Sequence, residues 1–452
     1  MPSLSGLLHD AASLHRFVAF VCQFCEEQET SHTYLEATTD FFAYVRQLGT
    51  ETLTYLQRLV DHAGRSKRIR EYRQKLVAIK NCWCELHAFV KPAADAHTLK
   101  IPVPLLQFLQ TRLRQLPTLS KARIVILLSP ELNYFQHRHG DIRDLTTKLH
   151  QLFATQRLPE ALGFIAIPYS QAATIFTNIF ICHELGHFAF EELARGTQLS
   201  PDIDLALKKV LKDFDTASEA KRSWCRRQLI DWAEEIYCDL FALRLLGPAY
   251  SFASIELFSL LGLLDDEGSC EFNSSHPADA CRFREHLLEL KSQGWWAVVK
   301  KFDTEHVQLI QHLGGMSESK YVFPLAPGLV RAFLPLRKRI QDLVGETIVS
   351  TGSDLREFRN WNRKIQEYLS CGVVPSTLAV KRRFYFPPPV AVMNAAFGFY
   401  LESLWRLIAN TEDPDYVARD VGERGKLSGR IELWTIKALE DYRLLQGEAK
   451  SV

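Results

Sequence analysis

Residues 183–187 read His-Glu-Leu-Gly-His, two imidazoles four apart with a carboxylate after the first. On an α-helix, residues four apart lie one turn above another on the same face. His183 and His187 can therefore present two neutral imidazoles to one ion. Glu184, one step round the helix, reaches a water beside that ion without joining its ligands. Zinc lowers the pKa of a bound water to about 7, and a neighbouring carboxylate can accept its proton. Gly186 interrupts the motif at a cost of roughly 0.5–1 kcal/mol against alanine in a helix interior. That cost makes sense where another element must pass close to the backbone. The same five-residue pattern also arises by chance in ordinary helices.

Two histidines do not finish a catalytic zinc site, which needs a third protein ligand and one open position. The segment WAEEIYCD, residues 232–239, offers it. Glu235 and Asp239 are four apart and share a helical face. Glu235 can bind the metal while Asp239 accepts a hydrogen bond from a ligand imidazole, which orients the ring and raises its basicity. The plain alternative has Glu234 facing solvent and the other two forming a polar edge. Two carboxylates buried together without a cation are costly, however. The flanking Leu229, Ile230, Ile236, Leu240, Phe241 and Leu243 mark much of this helix as buried. Cys182 and Cys238 adjoin His183 and Asp239. Helical neighbours diverge by about 100°, so both cysteines read as core thiols.

HELGH followed by EEIYCDLFA resembles the glutamate zincins. It is most similar to metallopeptidases of the prenyl-protease and heat-shock-protease type and their soluble relatives. That pattern is HExxH, a long separation, then a glutamate followed four later by aspartate and often seven later by alanine. The matching residues are His183, Glu184, His187, Glu235, Asp239 and Ala242. The resemblance implies zinc on His183, His187 and Glu235, with Glu184 as general base. It covers the centre of the chain only. It extends weakly to SSHPADACRF, where His276, Pro277 and Arg282 match a histidine–proline pair and a following arginine. On that likeness, His276 stabilises a developing oxyanion and Arg282 supports the carboxylates or a substrate carbonyl. Otherwise His276 caps the next helix and Arg282 makes a surface ion pair. Tyr237 is a further candidate donor or a core residue. In zincins a strand edge beside the active helix holds an extended peptide, which makes residues 163–167 a candidate cradle.

These residues need a scaffold, and the texture of the chain implies an α+β, predominantly helical one: a zincin-like catalytic core with a small β-sheet and helical flanks. Residues 1–115 carry apolar side chains at spacings of three and four, the mark of helices. Residues 91–104 break that pattern and are expected to form a hinge or surface loop. ARIVILLSP, from Ala122, and LGFIAIPYS, from Leu162, read as strands, with a helix over IRDLTTKLHQLFAT between them. A helix over 171–192 carries HELGH. Two more helical stretches follow, DLALKKVLKDFDTASEAKRSW and then CRRQLIDWAEEIYCDLFALRLL, the latter stopped by Gly247 and Pro248. The division is 1–115 N-terminal helical, 116–298 catalytic core and 299–452 C-terminal helical. Residues 417–430 are expected to form a solvent loop, as is HRHGD at 137–141. KRRFYFPPP, from Lys381, mixes basic and aromatic residues: either a weak nucleic-acid contact or, equally, an ordered segment with solvated arginines and aromatics turned into the core, its triple proline a stiff strip for a partner to dock on.

The chain has 452 residues with a formal net charge of +1, which gives no support for a whole-protein grip on nucleic acid or acidic membrane. Ten scattered cysteines, with one CxxC pair at Cys22–Cys25 but no dense disulfide framework, and no visible signal peptide, point to a reducing, cytoplasmic setting. The apolar run 249–264 contains Glu256 and is shorter than the ~20 residues a membrane span needs, so it reads as a buried helix. The expected function is zinc-dependent peptide-bond hydrolysis on a peptide or protein substrate, with a regulatory protein partner as a further expectation. Three rivals remain: a zinc hydrolase of a small amide or ester, a non-catalytic helical interaction protein with a vestigial zinc site, and a regulator acting on a specific intracellular partner.

Overall fold

The computed structural model describes residues 4–449 apart from 31–35, 64–68, 99–100, 132–133, 138–146, 150–161, 212–215, 262–268, 303, 349–351, 381–382 and 410–413. It is predominantly helical with two small sheets. The chain forms two compact units, residues 1–103 with 121–173, and residues 104–120 with 174–452. The later boundary falls between the second predicted strand and HELGH.

The first unit builds its core from three long amphipathic helices, α1 (Leu4–Glu29), α2 (Glu36–Ala63) and α3 (Ile69–Thr98). Their apolar faces close over Phe41, Phe42, Trp83, Leu86 and Val90. Trp83 cannot be buried with an idle N–H, and its Nε1 donates to Thr52 Oγ1 at 3.2 Å. The expected break at residues 91–104 is absent as far as Thr98: α3 runs on through Pro92. Ala93, Ala94 and Ala96 are buried there, and Lys91 pairs with Asp95 at 2.6 Å. Packing and the ion pair outweigh the one hydrogen bond that proline removes.

Both predicted strands form, as β1 (Arg123–Ser129) and β3 (Leu162–Pro168), joined in parallel from Arg123↔Leu162 to Ser129↔Pro168. A short β2 (Phe135–His137) pairs antiparallel with the other side of β3, opposite Phe164–Ala166. The order β1-β3-β2 makes β3 the central strand. The expected peptide cradle at 163–167 is therefore corrected: its middle residues, Phe164–Ala166, already have strand partners on both sides. Of the helix expected over IRDLTTKLHQLFAT, residues 147–149 are described and helical; the rest of it, and most of HRHGD, lie outside the described residues.

The second unit carries the chemistry-bearing residues. It contains α4 (Val103–Arg114, from Pro104 on), α5 (Ile175–Asn178), α6 (Ile181–Glu192), α7 (Arg195–Val210), α8 (Glu219–Leu246), α9 (Pro248–Leu260) and α10 (Asp279–Ser292). The helix expected over 171–192 is broken at Ile179–Phe180 into α5 and α6. The stretch 204–224 is likewise divided between α7 and α8, because Ser218 caps α8 by accepting from the Lys221 N–H at 3.3 Å. Gly247 ends α8 as expected, at φ +69°, and Pro248 starts α9. Buried Asn394 clamps this corner, accepting from the Ala249 N–H at 2.7 Å and donating to the Leu246 carbonyl at 2.7 Å. α9 is almost wholly buried as far as Phe258, and among the described residues no helix is long and apolar enough to cross a membrane.

Two further expectations fail here. Residues 417–430 belong to a helix, Pro414–Ala449. In the strand Arg383–Tyr385 and just beyond it, Phe384, Tyr385 and Phe386 are exposed and not turned into the core. Among the described residues their strand pairs with Leu378–Val380 in a two-stranded ribbon, where Tyr385 packs on Trp361 and the aromatic side chains stay largely exposed.

Candidate metal centre

HELGH lies on α6, which crosses α8 at Gly186. A Cβ built on Gly186 would stand 2.6 Å from Cys238 Cα and 3.1 Å from its Sγ. No side chain fits there, so glycine is what lets the two helices approach closely. The approach brings WAEEIYCD under the two histidines.

The ring nitrogens divide their work. His183 Nδ1 lies 2.9 Å from Asp239 Oδ1, and His187 Nδ1 lies 2.8 Å from Glu234 Oε1. A carboxylate accepts, so each Nδ1 donates, and in the neutral ring each Nε2 presents a lone pair. His183 Nε2 is 3.4 Å from Glu235 Oε2, and His187 Nε2 is 3.5 Å from Glu235 Oε1. Two donor atoms sharing a four-coordinate ion at roughly 2.0–2.1 Å stand about 3.3–3.4 Å apart. Each imidazole–carboxylate pair has that spacing.

Asp239 is fully buried and heavily braced. Arg282 grips it with two hydrogen bonds, Nε to Oδ2 at 2.8 Å and Nη2 to Oδ1 at 2.7 Å. Tyr250 Oη donates to Oδ1 at 2.5 Å, and His286 Nε2 stands 3.3 Å from Oδ2. Burial alone would raise the Asp239 pKa. The Arg282 charge, the hydrogen bonds from Arg282 and His183, and the nearby His286 outweigh it and hold the carboxyl well below the usual range. Glu235 follows the same logic: burial opposes its charge, while the two histidines and His276 favour it, and its pKa is lowered. For His183, burial opposes charging of the ring, but Asp239 and Glu235 prevail and its pKa is raised.

The charges do not balance without help. Glu235 and Asp239 supply two buried negative charges and Arg282 one positive charge, at 3.6 Å from Glu235 Oε2. With neutral imidazoles at least one negative charge is left, the buried Glu184 not counted, and an uncompensated buried charge is costly. Glu235 Oε2 is moreover buried without a hydrogen-bond partner. A cation between Glu235 and the Nε2 atoms, or protons on the rings, makes good the deficit. The donor set of two imidazoles and one carboxylate fits zinc.

Cys238 is a competing donor, since one donor atom each from His183, His187 and Cys238 lie within 4.8 Å of one another. Without a metal, Glu235 stands ionised and Cys238 is a buried neutral thiol, which would give up its proton on binding an ion.

The other sequence candidates separate. Glu184 is buried on α6 beside His183. His276 joins the site: its Nε2 is 3.7 Å from Glu235 Oε2, and its side chain is 43% exposed, so it faces both the site and solvent. Its loop is held against α8, where Trp232 Nε1 donates to the Asn273 carbonyl and Gln228 Nε2 to the Ser274 carbonyl, both at 2.8 Å. Arg282 is a buried brace, not a surface ion pair. Tyr237 is not brought to the histidines. Its hydroxyl bonds Thr347 Oγ1 at 2.8 Å and its ring packs on Phe190, so it is a core residue.

Three members escaped sequence reasoning. Glu234, read as facing solvent, meets His187. His286 follows Arg282 by four and so shares its face of α10, a signal available in the sequence. Tyr250 sits in the first turn after the Gly247–Pro248 corner, and nothing in the local pattern points it at Asp239. Comparison with known proteins finds no matching family model, no matching curated protein and no matching solved structure.

Proposed function

We propose that this chain is a zinc-dependent hydrolase acting on peptide bonds through a glutamate-zincin-like core. The observation that carries the reading is the placement of Glu235, one carboxylate oxygen towards each histidine Nε2, at 3.4 and 3.5 Å. His183, His187 and Glu235 would hold the ion. When bound, zinc supplies Lewis acidity towards water and a carbonyl oxygen.

The remaining work falls to side chains. Glu184 takes the proton of the attacking water and returns it to the leaving amine. His276, at the solvent-facing edge, donates to the oxygen that gains charge. Arg282 supports Asp239 and Glu235 and is too committed to them to serve the substrate. Tyr237 has no part in the chemistry. The ten cysteines are free, which suits the reducing compartment expected from the sequence.

One observation favours a second reading, hydrolysis of a small amide or ester. The strand meant to hold an extended peptide is central in its sheet, so that support for a long substrate is gone. Zinc-loaded protein incubated with an unfolded protein, with short peptides and with small esters separates the two. Peptide cleavage that chelation abolishes and zinc restores supports the proposal. Cleavage of small esters alone supports the second reading. Stoichiometric zinc with no hydrolysis of any of these leaves a non-catalytic metal site.

A further inference from the structure

We infer that Glu234 is a positioning residue for the metal centre, holding His187 as Asp239 holds His183. The inference rests on the zinc site proposed above and assigns a role to a residue outside its ligands. The two carboxylates stand on one helix, α8, at 2.8 and 2.9 Å from the Nδ1 atoms of the two histidines. The geometry is the same at both rings: N–H to carboxylate on one side, lone pair towards Glu235 on the other. A ring held this way keeps the right tautomer and orientation before any metal arrives.

His187 needs such a hold. Its side chain is 17% exposed against 4% for His183, and it lacks the ring stacking that Phe180 gives His183 at 4.9 Å between centroids. Its ring also has a rival partner in the neighbouring Cys238 thiol. A carboxylate is the stronger acceptor for an imidazole N–H, so Glu234 decides which way the ring faces. The two anchors differ in setting. Asp239 is fully buried under Arg282 and Tyr250, whereas Glu234 is 23% exposed at the edge of α8. Removing Asp239 strands a buried arginine. Glu234 can be removed without opening the core, which makes it the clean residue to test.

The test is zinc affinity of the full chain, measured by competition with a chromophoric chelator, for wild type, Glu234→Ala and Glu234→Gln. Urea unfolding of the metal-free forms is followed in parallel. Glu234→Ala is expected to bind zinc about 10–100-fold more weakly, with an unchanged unfolding midpoint. Glu234→Gln, whose amide oxygen still accepts the N–H, is expected to recover most of that loss. Cobalt(II) substituted into Glu234→Ala should show altered visible bands, reporting changed ligand geometry. Alanine binding within twofold of wild type overturns the inference, as does a loss that glutamine fails to rescue. A wild type that binds no zinc defeats the proposed function itself, whereas unchanged binding in Glu234→Ala defeats only the role of Glu234.

Discussion

Replacing Glu184 by glutamine is expected to leave zinc in place and lower hydrolysis about 100- to 10,000-fold, the usual contribution of a positioned general base. The residue is buried on α6 next to a ligand histidine and is not itself placed as a ligand. The substitution keeps its size and removes only its ability to accept a proton. Metal content and turnover must therefore part company. Metal analysis beside rate measurements on the unfolded-protein or peptide substrate reads both. Retained zinc with a rate within tenfold of wild type removes Glu184 from the chemistry and leaves His276 or another group as the base.

Arg282→Met carries the second large effect, on folding. Arg282 is buried with its guanidinium in two hydrogen bonds to Asp239 and its face 4.9 Å from the Phe258 ring. Methionine of similar length leaves Asp239 buried with its main counter-charge gone. Breaking such a pair from one side costs about 3–5 kcal/mol, mostly for the stranded charge. Replacing both partners, Arg282→Met with Asp239→Asn, is expected to recover part of that loss, since no buried charge remains unpaired. The urea transition followed by tryptophan fluorescence measures both variants. A single variant less than about 1 kcal/mol weaker than wild type would mean that Asp239 does not depend on Arg282 for its charge.

The parts of this fold that were legible in the sequence are those governed by local pattern. The two buried strands, the Gly247–Pro248 corner and the apolar helix after it follow from β-branched runs, a left-handed glycine and hydrophobicity. The spacing of four placed His183 above His187 and Glu235 beside Asp239. Gly186 was readable as a point of close approach, and Cys238 is what approaches it. What could not be read depends on contacts distant in sequence. Strand order hid the central position of β3, because β2 is three residues long and leaves almost no periodic signal. Pro92 was read as a break, yet buried alanines carry the helix through it. Glycines at 422, 425 and 429 suggested a loop inside what is one helix. Glu234 was left to solvent in the plain alternative, because its meeting with His187 depends on α6 crossing α8, a contact distant in sequence.

The most direct measurement is zinc per chain after reconstitution and removal of free metal, for wild type, His183→Ala, Glu235→Ala and Cys238→Ser. One zinc per chain in wild type and in Cys238→Ser, with loss in His183→Ala and Glu235→Ala, is the expected result. Retention in Glu235→Ala together with loss in Cys238→Ser would contradict it, giving a His-His-Cys site in place of the glutamate one. No stoichiometric zinc in wild type would remove the metal centre altogether.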